Sequence, residues 1–351
     1  MEVSGSLSQI FTGTYQGIIR RVHAAVDKRI GGLYNPQKVK VPIHVAPLEN
    51  IEVVKAYVEI SSIVKRDVKN SWRLKLDGIP VTRLYTPNFT VYDKNDFELA
   101  TTVIDVTPIL RRDPGQTRHV LEITNTGSNV IYIVGVALLK LLSYREGTSS
   151  VAYVGGSIKL EPNSTIVLKD LTTHPKSKTS LSFIAYTPEP GIVLEIGNES
   201  RGVRTFTLAS NVQDIDVPID PKADTEKLML TLRNASENSY VFIPTLLFSS
   251  TVYRRPKITL DVSTSTESPC SSKLNLTIKN TGDAKAESVI AIVFSLGQTI
   301  FREALGDLEA GESREIRVSL DETRGAKQAL VRVVWKELGE LQTIDKRVSL
   351  S

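Results

Sequence analysis

Cysteine is nearly absent from this 351-residue chain: a single one, Cys270, cannot form an internal disulfide. The four histidines, His23, His44, His119 and His174, are scattered too widely along the sequence to outline a metal site. A disulfide scaffold and a zinc module are therefore excluded. Aromatics make up only 6% of residues and methionine occurs twice. Long apolar runs are missing as well. The longest, Val130 to Leu139, stops at Lys140 and is about half of what a bilayer-spanning helix requires. No transmembrane segment is expected. The first thirty residues also lack the charged-then-apolar pattern of a secretory signal, which leaves a product that is unexported, exported by another route, or numbered after processing.

Catalytic signatures are missing too. The sequence has no phosphate-cradling Walker loop, no dinucleotide Gly-x-Gly-x-x-Gly, no His-Glu-x-x-His and no Gly-x-Ser-x-Gly. Acid pairs such as Asp93/Asp96 and Asp214/Asp216 lie in turn or strand-edge settings. Asp214, Asp216 and Asp220 could ligate calcium through oxygen, but Pro218 and Pro221 interrupt the regular loop such a site uses. No catalytic residue, cofactor or metal is expected, and the chain reads as a non-enzyme.

What is present is a charged, globular composition: 41% hydrophobic, 23% charged, net charge +4. The charge is uneven. Residues 31–75 hold eight Lys+Arg against four acids, and residues 256–351 hold thirteen against fourteen. The densest basic stretch, Lys65-Arg66, Lys69, Trp72-Arg73 and Lys75, includes an aromatic. A single-strand binder shows several aromatics and a larger surplus, so a solvated hairpin is expected and nucleic acid is not. The charged composition with little Cys or Met also suits a thermophile.

One segment carries helical periodicity. Phe11, Tyr15, Ile18, Ile19, Val22, Val26 and Ile30 recur at one stripe of a 3.6-residue repeat, and Gly31-Gly32 supplies a stop. This predicts an amphipathic helix arm over 1–32. The stripe would dock on the protein's own β-core, on a neighbouring subunit or on a membrane surface. Elsewhere β-branched residues alternate with polar ones, as in Val39–Val45, Ile51–Val64, Trp72–Leu76, His119–Thr124 and Val130–Leu142. Leu76-Asp77-Gly78-Ile79 is a hairpin signal.

Sliding the sequence by 109 residues aligns Asp105 with Asp214, Leu121 with Leu230, Asn125 with Asn234, Asn129 with Asn238, Ile133 with Phe242 and Leu138 with Leu247. Two tandem copies are expected. The Asn pairs are expected to shape turns, since Asn tolerates left-handed backbone and can bond its own main chain. The expectation is all-β: jelly-roll-like β-sandwich domains at 33–146 and 147–253, then an immunoglobulin-like sandwich of about seven strands at 256–351.

The C-terminal unit resembles the CARDB type of immunoglobulin-like domain, through Leu276-Thr-Ile-Lys-Asn-Thr-Gly-Asp-Ala284 and the turn Leu305-Gly-Asp-Leu-Glu-Ala-Gly-Glu-Ser313. That resemblance implies a spacer, adhesion or assembly module without catalytic residues. Ile104-Asp-Val-Thr-Pro-Ile-Leu110, Gly115 and Val120–Asn125 make the first copy similar to galactose-binding-like jelly rolls; the second copy keeps Asp214 and loses the Thr. Such modules stack sugars on loop aromatics, for which Tyr85, Phe89 and Tyr92 are the nearest candidates. The functional expectation is a structural, self-associating protein of a virion (capsid, turret or spike) or a cell surface, with glycan binding as the alternative. Five Asn-x-Ser/Thr sequons, at Asn88, Asn163, Asn198, Asn234 and Asn275, lean toward surface exposure.

Overall fold

The computed structural model describes residues 4–46, 51–66, 72–82, 87–93, 96–169, 171–174, 177–198, 201–209, 211–220, 227–233, 236, 239–268, 271–319 and 328–349. Strands dominate, and the one helix among these residues, α1 (Thr107–Leu110), is a single turn. The chain is all-β. It divides into two compact units, the first reaching Tyr253 and the second made mainly of the chain from Arg254 on.

The first unit contains β1 (Ser4–Ile30), β2 (Lys38–His44), β3 (Val53–Lys65), β4 (Trp72–Leu76), β5 (Ile79–Thr82), β6 (Phe89–Tyr92), β7 (Phe97–Asp105), β8 (Arg118–Asn125) and β9 (Ile131–Leu160). There follow β10 (Thr165–Lys169), β11 (Lys178–Thr187), β12 (Ile192–Asn198), β13 (Arg201–Leu208), β14 (Asn211–Ile219), β15 (Lys227–Arg233) and β16 (Val241–Tyr253). A long sheet runs β14-β11-β16-β9-β3-β7-β6, with β1 added along β9, and two four-stranded sheets, β2-β8-β4-β5 and β10-β15-β12-β13, cover it.

The tandem repeat is visible in this topology. The first sandwich runs through β1 from Gly17, β2, β3, β4, β5, β7, β8 and the first half of β9. The second runs through the second half of β9, then β10, β11, β12, β13, β14, β15 and β16, with each strand finding the corresponding neighbours. β8 and β15, and β9 and β16, stand about 109 residues apart, as the sequence offset requires. One strand, β9, is both the last of the first copy and the first of the second, so the expected boundary between 146 and 147 falls inside it.

β9 bends between Ser143 and Thr148, where β1 shifts register from Gln16 to Gly17. The bend lays its two halves against each other: Leu139 and Leu141 from before it share a cluster with Val151 and Tyr153 from after it, together with Tyr57 and Leu247. The Tyr57 and Tyr153 rings are 5.7 Å apart. Both faces of the long sheet are thus covered, which is why Val130–Leu139 reads as a continuous apolar run rather than an alternating one. In the second copy Leu181, Phe183, Val241 and Phe248 pack against Ile166, Leu194, Ile196 and Leu230 of the covering sheet.

The expected N-terminal helix is corrected: residues 4–30 form a strand. The ambiguity is physical. A spacing of four residues is close to one helical turn and is also an even number, so Phe11, Tyr15 and Ile19 share one face of a strand while Ile18, Val22 and Val26 share the other. The Asp77-Gly78 turn is as expected, with φ of 52° and 79°, the left-handed pair a type I′ hairpin needs.

Among its described residues the second unit has seven strands: β17 (Ile258–Ser268), β18 (Ser271–Asn280), β19 (Ala286–Ser295), β20 (Gln298–Leu308), β21 (Ser313–Ser319), β22 (Gln328–Glu337) and β23 (Glu340–Ser349). They form sheets β17-β18-β21 and β20-β19-β22-β23 around a core including Leu276, Ile278, Val293 and Val333.

Candidate interaction site

β1 carries every residue singled out at the N-terminus, and the structure distributes them over two environments. Ile18 and Ile30 are buried. Val22 and Val26 are half-buried on the strand that opens the first sandwich. Phe11, Tyr15 and Ile19, with Ile10, pack on the cluster between the two halves of β9. Among the described residues β1 pairs with no strand but β9, from Ser4 opposite Lys159 to Ile30 opposite Ile131.

A buried polar group anchors the middle of β1. Glu59 of β3, fully buried, accepts hydrogen bonds from the Tyr153 hydroxyl (2.7 Å) and the Thr245 hydroxyl (2.5 Å). The Arg21 guanidinium lies 3.5 Å from Glu59 and 3.1 Å from Asp214 of β14. Burial and the Glu59 charge push the Tyr153 phenol well up, so it stays a donor. Next to it, burial lowers the His23 imidazole, which stays neutral. This group is drawn from β1, β3, β9, β14 and β16 and ties the middle of β1 to the sheet through hydrogen bonds within the unit.

Two other features of β1 face outward. Past its end, Leu33 and Tyr34 in the turn to β2 are 92% and 97% exposed, an apolar tip with nothing covering it. Beside its first half, a cavity of about 270 Å³ lies between β1, β9, β10 and β16, lined by Leu7, Thr12, Val154, Leu168, Leu246 and Phe248 among others. A second cavity, of about 390 Å³, lies in the second unit around Phe294, Leu296, Leu330 and Arg347; there Arg332 makes a two-pronged pair with Asp345, 2.7 Å on each prong.

The remaining sequence candidates resolve into structural roles. Trp72 is fully buried, so the basic cluster has no stacking surface there, while Lys65, Arg66, Arg73 and Lys75 are exposed; Lys69 lies outside the described residues. Asp214 pairs with Arg21 and Asp216 accepts from the Ser182 hydroxyl. No cluster of metal-ligating side chains occurs among the described residues. Asp93 joins Lys159 (3.0 Å) and the Tyr240 hydroxyl (3.0 Å). Of the candidate sugar-stacking aromatics, Phe89 is half-buried, Tyr92 is 54% exposed under the Arg66 guanidinium, and Tyr85 lies outside the described residues. The Ser150 hydroxyl and His174 Nε2 are 2.7 Å apart, a pair the sequence did not suggest; Ser150 is buried and also bonds Thr14, so it is closed within the sheet.

Asn125 shapes its turn as expected: its side chain accepts from the Gly127 amide and donates to the Asn129 carbonyl. Asn280 repeats the arrangement on Gly282 and Ala284. The shared Asn-Thr-Gly of 125–127 and 280–282 was the signal for this turn. Asn234 and Asn238 lie outside the described residues.

No known sequence family matches the chain, and no curated protein matches it. Among solved structures it is similar to the β-glucuronidase of Parabacteroides merdae, at 9% identity over 59% of this chain and 29% of that one, with a TM-score of 0.26. It is similar to the Bacteroides uniformis β-glucuronidase at 11% identity, over 59% of this chain and 26% of that one, TM-score 0.22. A DUF4785 family protein of Legionella pneumophila aligns over 99% of this chain and 93% of its own, at 13% identity and TM-score 0.22. The chain spans less than a third of those two glucuronidases. At such values these likenesses carry no argument about fold or function. No CARDB or galactose-binding family assignment follows. The protein is all-β, built of β-sandwiches, with no helix among its described residues long and apolar enough to cross a membrane.

Proposed function

We propose that this protein is a non-enzymatic structural subunit that assembles with copies of itself through β-domain contacts, in a virion or at a cell surface. The observation that carries the reading is β1: a 27-residue strand that pairs along one side only among the described residues. An unpaired strand edge is a template for another strand, and monomeric proteins usually blunt such edges. The exposed Leu33–Tyr34 tip adds an apolar contact surface next to that edge.

A glycan-binding role has narrower support. Sugar platforms need exposed aromatics with polar neighbours, and among the described residues Tyr92 under Arg66 is the one candidate aromatic that is exposed. Assembly is tested by light scattering and negative-stain microscopy of the purified chain across concentration and salt. The expected result is particles heavier than the 38.7 kDa chain, growing with concentration. A strict monomer in every condition, together with binding on a glycan array, would replace assembly by the glycan reading.

A further inference from the structure

Residues 4–16 stand apart from the rest of the first unit. The first sandwich takes its opening strand from Gly17 onward and the second takes its own from the second half of β9, so both are complete in the same strand roles without them. The segment is an extra strand, added to the edge of the second sandwich opposite residues 148–159. None of its side chains is fully buried, whereas Ile18, just after it, is 2% exposed.

The ladder also breaks at its inner end. Gln16 pairs with Thr148 and Gly17 with Ser143, so four residues of β9 are passed over. The strand lies close against β9 on both sides of the break: a Cβ on Gly17 would stand 2.1 Å from the Leu142 carbonyl oxygen, and one on Gly5 would stand 1.9 Å from that of Ser157. Before it, Leu7 packs on the second core and Ile10, Phe11 and Tyr15 pack on the cluster between the halves of β9, with Phe11 under Lys55 (5.7 Å) and the Thr14 hydroxyl 2.8 Å from that of Ser150.

The geometry points to residues 4–16 as an exchangeable donor strand, docking on residues 148–159 of their own β9 or of a second copy's. This rests on the assembly reading and specifies its contact. The same hydrogen bonds and apolar contacts form either way, so the choice is governed by concentration and by the chain at the Gln16–Gly17 break. Leaving the acceptor empty would expose the amides and carbonyls on that side of β9 together with the apolar cavity beside it, so an acceptor vacated by its own strand takes another. Donor and acceptor are different surfaces, which makes the contact head-to-tail and able to propagate.

The test uses two full chains, each carrying Cys270→Ser, one with Thr14→Cys and the other with Ser150→Cys. Neither chain can close this disulfide within itself. After mixing, incubation at assembling concentration and oxidation, the expected product is a covalent dimer whose disulfide joins position 14 of one chain to position 150 of the other. A single chain carrying both substitutions is expected to give a ladder of multimers on a non-reducing gel. Light scattering is run in parallel. Oligomers that show only the intrachain bond would overturn strand exchange and leave assembly standing; monomers with only the intrachain bond would overturn both. Thr12→Cys with Ala152→Cys, also opposite each other, repeats the test if the first pair disturbs folding.

Discussion

Buried polar side chains at single positions tie the sheets to one another. Lys140 of β9 lies 2.8 Å from His119 Nε2, and His119 Nδ1 lies 2.7 Å from Asp77. An ammonium can only donate, so Nε2 accepts and the Nδ1 proton goes to Asp77. Burial lowers the Lys140 pKa from 10.5 to about 8. A base whose pKa is lower folded than unfolded costs stability while protonated, and that cost is relieved as pH rises from about 8 to 10.5. The melting-temperature difference between wild type and Lys140→Met should therefore move in favour of wild type from pH 7 to pH 10. A difference flat with pH would contradict the assignment. Asn280 offers a second test. Its Oδ1 accepts from the Lys257 and Gly282 amides, and its Nδ2 donates to the Ala284 and Leu308 carbonyls. Asn280→Ala strands several of these groups and should cost roughly 2–4 kcal/mol in chemical denaturation of the full chain.

At the level of elements, β1 is two functional pieces joined at a register break. From Gly17 on it is an integral strand, held by Ile18, Ile30 and the Arg21–Glu59 pair. Replacing Ile18, Val22 and Val26 together by Ser should cost on the order of 5 kcal/mol in denaturant titration, since the change puts hydroxyls where the sandwich needs apolar volume. Phe11→Ser, in the surplus segment, should cost about 1–2 kcal/mol. Equal losses would mean the two pieces are one structural element. The sequence made the strand-rich class, the Asp77-Gly78 hairpin and the turn role of Asn125 readable, because alternation and turn chemistry are local. It misled at β1, where a four-residue spacing fits both periods. The bend in β9 was hidden because a strand covered on both faces loses the alternation that would mark its two halves. The Arg21–Glu59–Tyr153 group was invisible because its members lie up to 132 residues apart in sequence and meet only through that bend.

The whole first unit is a repeat whose two copies share a strand, which explains why a 109-residue offset aligns only part of each copy. β8 and β15 obey it, while β3 and β11 are farther apart, because the loops within the copies differ in length. The shared strand leaves the copies with unequal edges. The opening strand of the second sandwich is flanked by residues 4–16, and that of the first has no such flanking strand among the described residues. Self-association through this surplus strand is the central claim, and the most direct measurement is the light-scattering mass of the full chain beside that of a chain lacking residues 1–16, at matched concentrations. The account predicts oligomers of the full chain and a monomer of the shortened one, with the far-ultraviolet β spectrum preserved in both. Oligomers of equal size with and without residues 1–16 would contradict it.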